Sequence, residues 1–280
     1  MYDKIEKIGS SIIQHGRQND RIYLMKLSGN DFPAIIKKLE MLALKYNYSK
    51  IFAKIPDWAL EKFQKAGYLS EAHIPKFYEG ANDLFFVSLF LDQDRTMLEP
   101  AIHSRIKENI KIAKSRQNGM TLLTFPEQLQ LKRLNEKNAT DLSKIYKNVF
   151  DSYPFPIFEE NYLKDTMQSH VDYFGAFVKN KLVAASSAEM DAKGKNAEMT
   201  DFATLPKYRG NNLSMMLLKE MEASMRKKKM KTVYTIARSL SPGMNVTFAK
   251  MNYRFAGTLV NNTNIAGKIE SMNVWYKSLH

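Results

Sequence analysis

Thr204-Leu205-Pro206-Lys207-Tyr208-Arg209-Gly210-Asn211-Asn212-Leu213-Ser214 is the stretch on which the reading of this chain turns. It leaves a strand-like run, turns through Pro206 and Gly210, and enters a helical pattern. Leu213, Leu217, Met221 and Met225 share one face of that helix, which runs to Lys227. Such a turn stacks backbone N–H groups at a helix N-terminus, where the dipole also favours anions. Gly210 removes a Cβ, so a phosphate can approach the backbone closely. Asn211 and Asn212 are of the non-glycine type most tolerant of positive φ. Lys207 and Arg209 add counter-charge. The alternative is an ordinary strand-to-helix turn with an Asn cap.

Outward from this turn, periodicity supplies the rest. Upstream lie a strand at Leu129–Leu134, a helix capped by Asn138 or Thr140 and ending near Phe150, and a rigid aromatic loop at Tyr153-Pro154-Phe155-Pro156. A short helix over Glu159–Gln168 follows, then a hairpin of Tyr173–Val178 and Leu182–Asp191, then a strand at Asn196–Thr204. Downstream are a strand at Thr232–Ala237, a helix at Asn245–Met251, and strands at Arg254–Val260 and Ser271–Tyr276. The first part of the chain reads β-α-β-α-β-β. Its strands are Arg21–Leu27, Ile51–Ile55, Tyr78 and Leu84–Leu91, with helices at Asp31–Tyr46, capped by Asn30 or Asp31, and from Asp57 to about Lys65. The tail of the second part repeats that pattern, which implies an internal duplication with a truncated first copy. Between them a basic helix over residues 99–118 carries Ile102, Ile106, Ile110 and Ala113 on one face and stops at Gln117-Asn118-Gly119. It reads as a linker, or as a nucleic-acid-binding helix.

Arg209-Gly210-Asn211-Asn212-Leu213-Ser214 resembles the pyrophosphate loop of the Gcn5-related N-acetyltransferases (GNAT), Arg/Gln-x-x-Gly-x-Gly/Ala, with Asn212 in place of the middle Gly and Ser214 in place of the last small residue. The element order after residue 129 matches that fold. The resemblance implies an α/β protein of α+β type: a mixed, mostly antiparallel sheet flanked by helices, with an N-terminal GNAT-like half. The expected boundaries are 1–98 for that half, 99–128 for a linker helix and 129–280 for a catalytic domain. It also implies acetyl-CoA as cofactor, held by Phe202, Ala203 and Thr204 along a splayed strand and by Arg209, Gly210, Asn211, Asn212, Leu213 and Ser214 at the helix start. Asn245, Phe248 and Lys250 join them from the later helix.

Glu198 matches a glutamate used as general base in some members. An amine nucleophile has an intrinsic pKa near 10.4, so a carboxylate acceptor suits it. The family's thiolate-protonating Tyr aligns with Phe248, which has no proton to give, leaving solvent, Tyr253 or Tyr234 for that task. A backbone N–H near Ala203–Thr204 would stabilise the developing oxyanion. The run Gly257-Thr258-Leu259-Val260-Asn261-Asn262-Thr263-Asn264-Ile265-Ala266-Gly267, the stretch Glu270–Tyr276 and the loop Asp151–Pro156 resemble the β-lysine N-acetyltransferases. That resemblance implies a small zwitterionic acceptor carrying an extra ammonium. Asn262, Asn264, Arg238 and Arg254 are candidates for its carboxylate, and Tyr153, Phe155, Glu159 and Asp201 for its ammonium ends. Polyamine, protein-lysine and aminoacyl transfer are the alternatives on the same fold, and a basic nucleic-acid-binding protein is the distant one.

Composition narrows the classes. The chain has 280 residues, 44% hydrophobic and 25% charged, which suits a globular protein with a core. The densest apolar run, Leu84–Leu91, contains Ser88 and is too short to span a membrane. The start, MYDKIEKIGSS, lacks the apolar core of a secretory signal. With no cysteine there is no disulfide, thiolate metal site or acyl-cysteine intermediate, and a cytoplasmic setting is expected. Direct attack by the amine is then the simplest route. The histidines show no metal-ligand spacing, and no metal is assigned. The net charge of +13 is uneven: residues 1–128 hold 19 bases against 15 acids, and residues 129–280 hold 23 against 14. An anionic partner is therefore expected on the second half. A monomer or homodimer acting on a small amine, away from nucleic acid and membrane, completes the expectation.

Overall fold

The computed structural model describes residues 2–117 and 128–279. Asn118 and Gly119, the expected stop of the basic helix, lie outside them. In chain order the elements are β1 (Lys4–Ile8), β2 (Ser11–Gly16), β3 (Arg21–Lys26), α1 (Ile35–Tyr46), β4 (Lys50–Pro56), α2 (Asp57–Lys65), β5 (Leu69–Tyr78) and β6 (Asn82–Phe90). Then come α3 (Pro100–Ser115), β7 (Leu129–Arg133), α4 (Ala139–Val149), α5 (Glu160–Ser169), β8 (Val171–Val178), β9 (Lys181–Asp191) and β10 (Asn196–Thr204). Last are α6 (Leu213–Lys227), β11 (Thr232–Arg238), α7 (Pro242–Lys250), β12 (Arg254–Ile265) and β13 (Lys268–Ser278).

One mixed sheet runs β1-β2-β3-β4-β6-β5-β12-β13-β11-β10-β9-β8-β7. Most pairs are antiparallel; β3–β4 and β10–β11 are parallel. The expected fold class holds, and the two halves share one topology. In each, an antiparallel run leads to a parallel βαβ unit, and a closing hairpin inserts its second strand first: β4-β6-β5 mirrors β11-β13-β12. The first half is more complete than its sequence pattern implies, because β1 and β2 precede β3. Their apolar residues sit among charges and turns, so alternation there is weak. Asp31 does not cap α1. Its carboxylate accepts from the Ser10 N–H at 2.9 Å and the Ser11 hydroxyl at 2.6 Å, and the helix begins at Ile35.

Burial explains the layers. α1 and α2 cover one face of the first half through Ile35, Leu39, Ala59 and Phe63. α6 covers one face of the second half through Leu213, Leu217, Met221 and Met225, each contributing about 1.5–3 kcal/mol of apolar burial. The opposite faces meet in a joint core where Tyr23, Phe52 and Phe86 pack with Leu142, Tyr146 and Leu163 of α4 and α5. The basic helix α3 lies against the second half: Ile106 and Ala113 are buried, and the Asn109 amide donates to the Ser239 carbonyl at 3.0 Å. Among the described residues no helix is long and apolar enough to cross a membrane.

The halves join where β5 meets β12, with Gly257 opposite Ala72. A Cβ at Gly257 would sit 2.1 Å from the Glu71 carbonyl oxygen, so only glycine allows this approach. Beyond it β12 bulges between Leu259 and Thr263, and the first half takes up its freed backbone groups. The Val260 N–H donates to Glu71 (2.6 Å), and Lys50 to the Val260 carbonyl (2.7 Å). Arg95 donates to the Asn261 carbonyl (2.7 Å) and Arg21 to the Asn262 carbonyl, while Asn19 accepts from the Asn264 N–H (2.7 Å). Lys50 and Glu71 form a fully buried ion pair at 3.0 Å beneath this bulge.

Candidate active site

β10 and β11 pair only through Asn196–Glu198 and Thr232–Tyr234. Beyond those residues they separate, so Met199–Thr204 have no strand partner on the β11 side. A cleft of about 730 Å³ opens there. One end lies at the start of α6. The other runs under the first half, which lines it with Arg21, Tyr23, Met25, Phe52 and Lys54.

At the first end Arg209, Gly210, Asn212, Leu213 and Ser214 line the cleft. Gly210 has φ +82° and a Cβ there would meet open space, while Asn212 takes the left-handed conformation at φ +56°. The earliest helical bond is Met216 N–H to the Asn212 carbonyl, so the first-turn N–H groups before it have no partner within the helix. Thr247, Phe248 and Lys250 of α7 line the facing side. An open backbone corner, a flanking guanidinium and a strand with one free side together fit the diphosphate and pantetheine arm of acetyl-CoA.

At the other end the cleft is acidic and aromatic. Glu198 on β10 stands opposite Glu189 on β9 and Tyr234 on β11 in the strand registers. Withdrawal from bulk water, with Glu189 adding to it, pushes the Glu198 carboxyl up to about 7; Lys54 and a bond with Tyr234 oppose that rise. Burial also raises Glu189, but hydrogen bonding to His170 and the charges of Lys54 and His170 outweigh it and leave that carboxyl low. Asp201 sits in the bulge of β10 at φ +54° and accepts from the hydroxyls of Tyr153 and Ser187. Burial raises its pKa against those bonds. Tyr23, Tyr162, Tyr173 and Phe155 complete the wall. The aromatic loop is pinned by the first half, since Gln14 donates to the Pro154 carbonyl at 3.1 Å and Gln18 to the Tyr153 carbonyl at 2.9 Å.

The structure gathers Glu198, Asp201, Tyr153, Phe155, Phe202, Thr204, Phe248, Lys250, Arg238 and Asn262 around this cleft, with the turn residues named above. Several expected residues fall elsewhere. Tyr253 is fully buried behind Phe248, its ring 5.0 Å from that ring and beside Glu222 and Lys277, so it does not face the reacting atoms. The Asn245 amide is saturated: it donates to the Arg238 and Ser241 carbonyls and accepts from Asn273 and Trp275. Asn264 is spent on the joint between the halves, its Nδ2 donating to the Gln18 carbonyl at 2.8 Å. Glu159 is exposed at the start of α5, and Arg254 is exposed on β12. The Ala203 methyl packs in the core, and the Asn211 amide pins its own turn by donating to the Tyr208 carbonyl at 3.0 Å. Arg238 lines the cleft, but Glu270 holds it in a bidentate pair at 2.8 and 2.9 Å.

Sequence reading missed Arg21, Tyr23, Phe52, Lys54 and Glu189. The first four belong to the half without a phosphate loop, and only the closed sheet brings them to the cleft. Glu189 had a signal: it sits near the end of the strand that pairs with the one carrying Glu198.

The acetyltransferase (GNAT) family profile matches residues 136–244. The chain is 43% identical over 275 residues to the Beta-lysine N(6)-acetyltransferase of Methanococcus maripaludis, covering 98% of each. It is 29% identical over 271 residues to the Beta-lysine N(6)-acetyltransferase of Methanosarcina mazei, covering 89% of this chain and 98% of that protein. Among solved structures, the ribosomal-protein-S18-alanine N-acetyltransferase from Escherichia coli superposes with a TM-score of 0.48 at 13% identity, covering 54% of this chain and 94% of that one.

Proposed function

This chain belongs to the acetyltransferase (GNAT) family, and from that premise we propose that it transfers the acetyl group of acetyl-CoA to the side-chain amine of β-lysine, giving N-acetyl-β-lysine. The observation that carries the acceptor class is the far end of the cleft. Glu189, Glu198 and Asp201 face one another there among tyrosines, under a roof supplied by the first half. Such a chamber attracts a small amine with two ammonium groups. A bulky peptide would have to displace the loop that Gln14 and Gln18 hold in place.

Bound acetyl-CoA supplies the electrophile, its thioester carbonyl carbon. Arg209, the open backbone at Gly210 and the first turn of α6 hold its diphosphate. The free side of β10 aligns its arm. Glu198, with a pKa near 7, takes the proton that the amine must lose, directly or through water. The C–N bond forms as the C–S bond breaks, and the leaving thiolate takes its proton from solvent. Residues 1–98 form a GNAT-like half that roofs the acceptor end, 99–128 connect, and 129–280 carry the chemistry. The enzyme acts in the cytoplasm as a monomer or homodimer, without nucleic acid.

The test is thiol release from acetyl-CoA with β-lysine, α-lysine, spermidine and a histone-like peptide as acceptors. Release with β-lysine above the other three is expected. Release with the peptide and not with the amino acids would overturn the proposal.

A further inference from the structure

We propose that Arg21, in the half that has lost its phosphate loop, is the carboxylate anchor of the acceptor site, with the Asn262 amide beside it. The inference rests on the β-lysine reading above and names the group that recognises the acceptor's acid end.

Among the described residues five cations line the cleft: Arg21, Lys54, Arg209, Arg238 and Lys250. Arg209 and Lys250 stand at the cofactor end. Arg238 is neutralised by Glu270. Lys54 donates to the Tyr234 hydroxyl at 3.3 Å, and its charge acts on Glu189 and Glu198. Arg21 differs from all of these. It is 4% exposed and forms no salt bridge among the described residues. A buried guanidinium with no carboxylate in contact is costly, so its surroundings, including the more distant charges of Asp3 and Glu71, must offset the loss of water. They do so in part. One Nη donates to the Asn262 carbonyl and, at 3.2 Å, to the Thr263 hydroxyl, and the group lies 5.4 Å from the centres of the Tyr23 and Phe52 rings.

What remains is a vacant fork. Nε of Arg21 is buried without a hydrogen-bond partner, and the side-chain bonds that Arg21 makes among the described residues all run through that first Nη. Nε and the second Nη form the side of a guanidinium that a carboxylate accepts from bidentately. Asn262, 1% exposed, also lines the cleft, and its Oδ1 has no partner either. That oxygen can only accept, so an ammonium next to the carboxylate is the group it would suit. Two buried polar side chains that line one cavity thus keep unused capacity, a donor and an acceptor, which suits the acid and neighbouring amine of a β-amino acid. Spacing agrees. Arg21 and Tyr23 share a strand face about 7 Å apart, and the charge of Glu198 acts on the Tyr23 hydroxyl. An acid held at Arg21 therefore extends its distal amine toward Glu198.

The experiment compares β-lysine with 1,4-diaminopentane, the same diamine without its carboxylate, in wild type, Arg21→Met and Arg21→Lys, by thiol release and by calorimetric titration of the acceptor. Wild type is expected to favour β-lysine. Arg21→Met is expected to raise KM and weaken calorimetric binding for β-lysine about 10- to 100-fold with kcat little changed, while diaminopentane stays at its wild-type level. Arg21→Lys keeps the charge without the fork and should recover part of the loss. Equal damage to both acceptors, or unchanged β-lysine binding in a folded Arg21→Met or Arg21→Lys protein, overturns the anchor. Failure of the wild type to bind or acetylate β-lysine instead overturns the acceptor reading itself, and the anchor with it.

Discussion

The two βαβ units differ where they matter most. In the second half β10 and β11 part after three paired residues, and the turn into α6 leaves an open corner of backbone. In the first half β3 and β4 stay paired over Arg21–Leu24 and Lys50–Ala53, and the path to α1 passes a 3-10 turn at Gly29–Asp31 and then Phe32 and Pro33, so its Gly-Asn pair does not abut the helix start as Gly210–Asn212 do. Counting along the parallel pairs, Tyr23 and Phe52 occupy the places of Glu198 and Tyr234. The second half presents a carboxylate beside strands that part. The first has no such gap and presents aromatic rings and a buried cation to the same chamber. On the proposed reading, chemistry falls to one half and recognition to the other.

The sharpest way to break that division is Glu198→Gln. Turnover at neutral pH should fall about 10²–10⁴-fold while acetyl-CoA still binds, as stopped assays and titration would reveal. The pH profile follows from the same group. A carboxyl with a pKa near 7 accepts a proton only when ionised, so kcat/KM of the wild type should rise with pH through about 7, and that step should vanish in Glu198→Gln. An unchanged rate would move the proton acceptor elsewhere, with Glu189 and Asp201 next in line.

Next in size is the joint between the copies. Lys50→Met leaves Glu71 charged and buried, which should cost about 3–5 kcal/mol in denaturant unfolding, and adding Glu71→Gln should recover part of it. Stability unaffected by Lys50→Met would mean that the halves hold together without this pair. The smallest effect is expected at Tyr253→Phe. Tyr253 lies behind Phe248, so its hydroxyl is not placed to protonate the thiolate, and kcat should stay within about twofold, less than about a third of the free energy of one lost charged hydrogen bond. A selective slowing of the chemical step would restore it to the mechanism.

Much of this was legible in the chain. Leu213, Leu217, Met221 and Met225 announce α6 by period alone, and Gly210 with its asparagines marks the corner before it. Glu198 could be placed because it precedes that corner on the same strand. What stayed hidden is what only closure of the sheet creates. Lys54 reaches Tyr234, and Arg21 reaches Asn262, across separations of 180 and 241 residues that no local pattern encodes. The asparagine-rich run misled for a physical reason. Asn262 and Asn264 look like ligands for a small polar molecule, yet a bulged strand needs the same donors and acceptors, and the Asn264 amide is used there.

The meeting of β5 with β12 has a further consequence for the molecule as a whole. These are long, partly apolar strands, ten and twelve residues, and each would be the rim of its own sheet if the halves were apart. Unpaired strands of that length recruit other chains and aggregate. By turning them toward each other the protein leaves β1 and β7 as the margins of the sheet among the described residues, five residues each and studded with Lys4, Lys7, Lys132 and Arg133. The first half thus covers a strand rim of the second that would otherwise invite other chains, whatever chemistry it does or does not carry out.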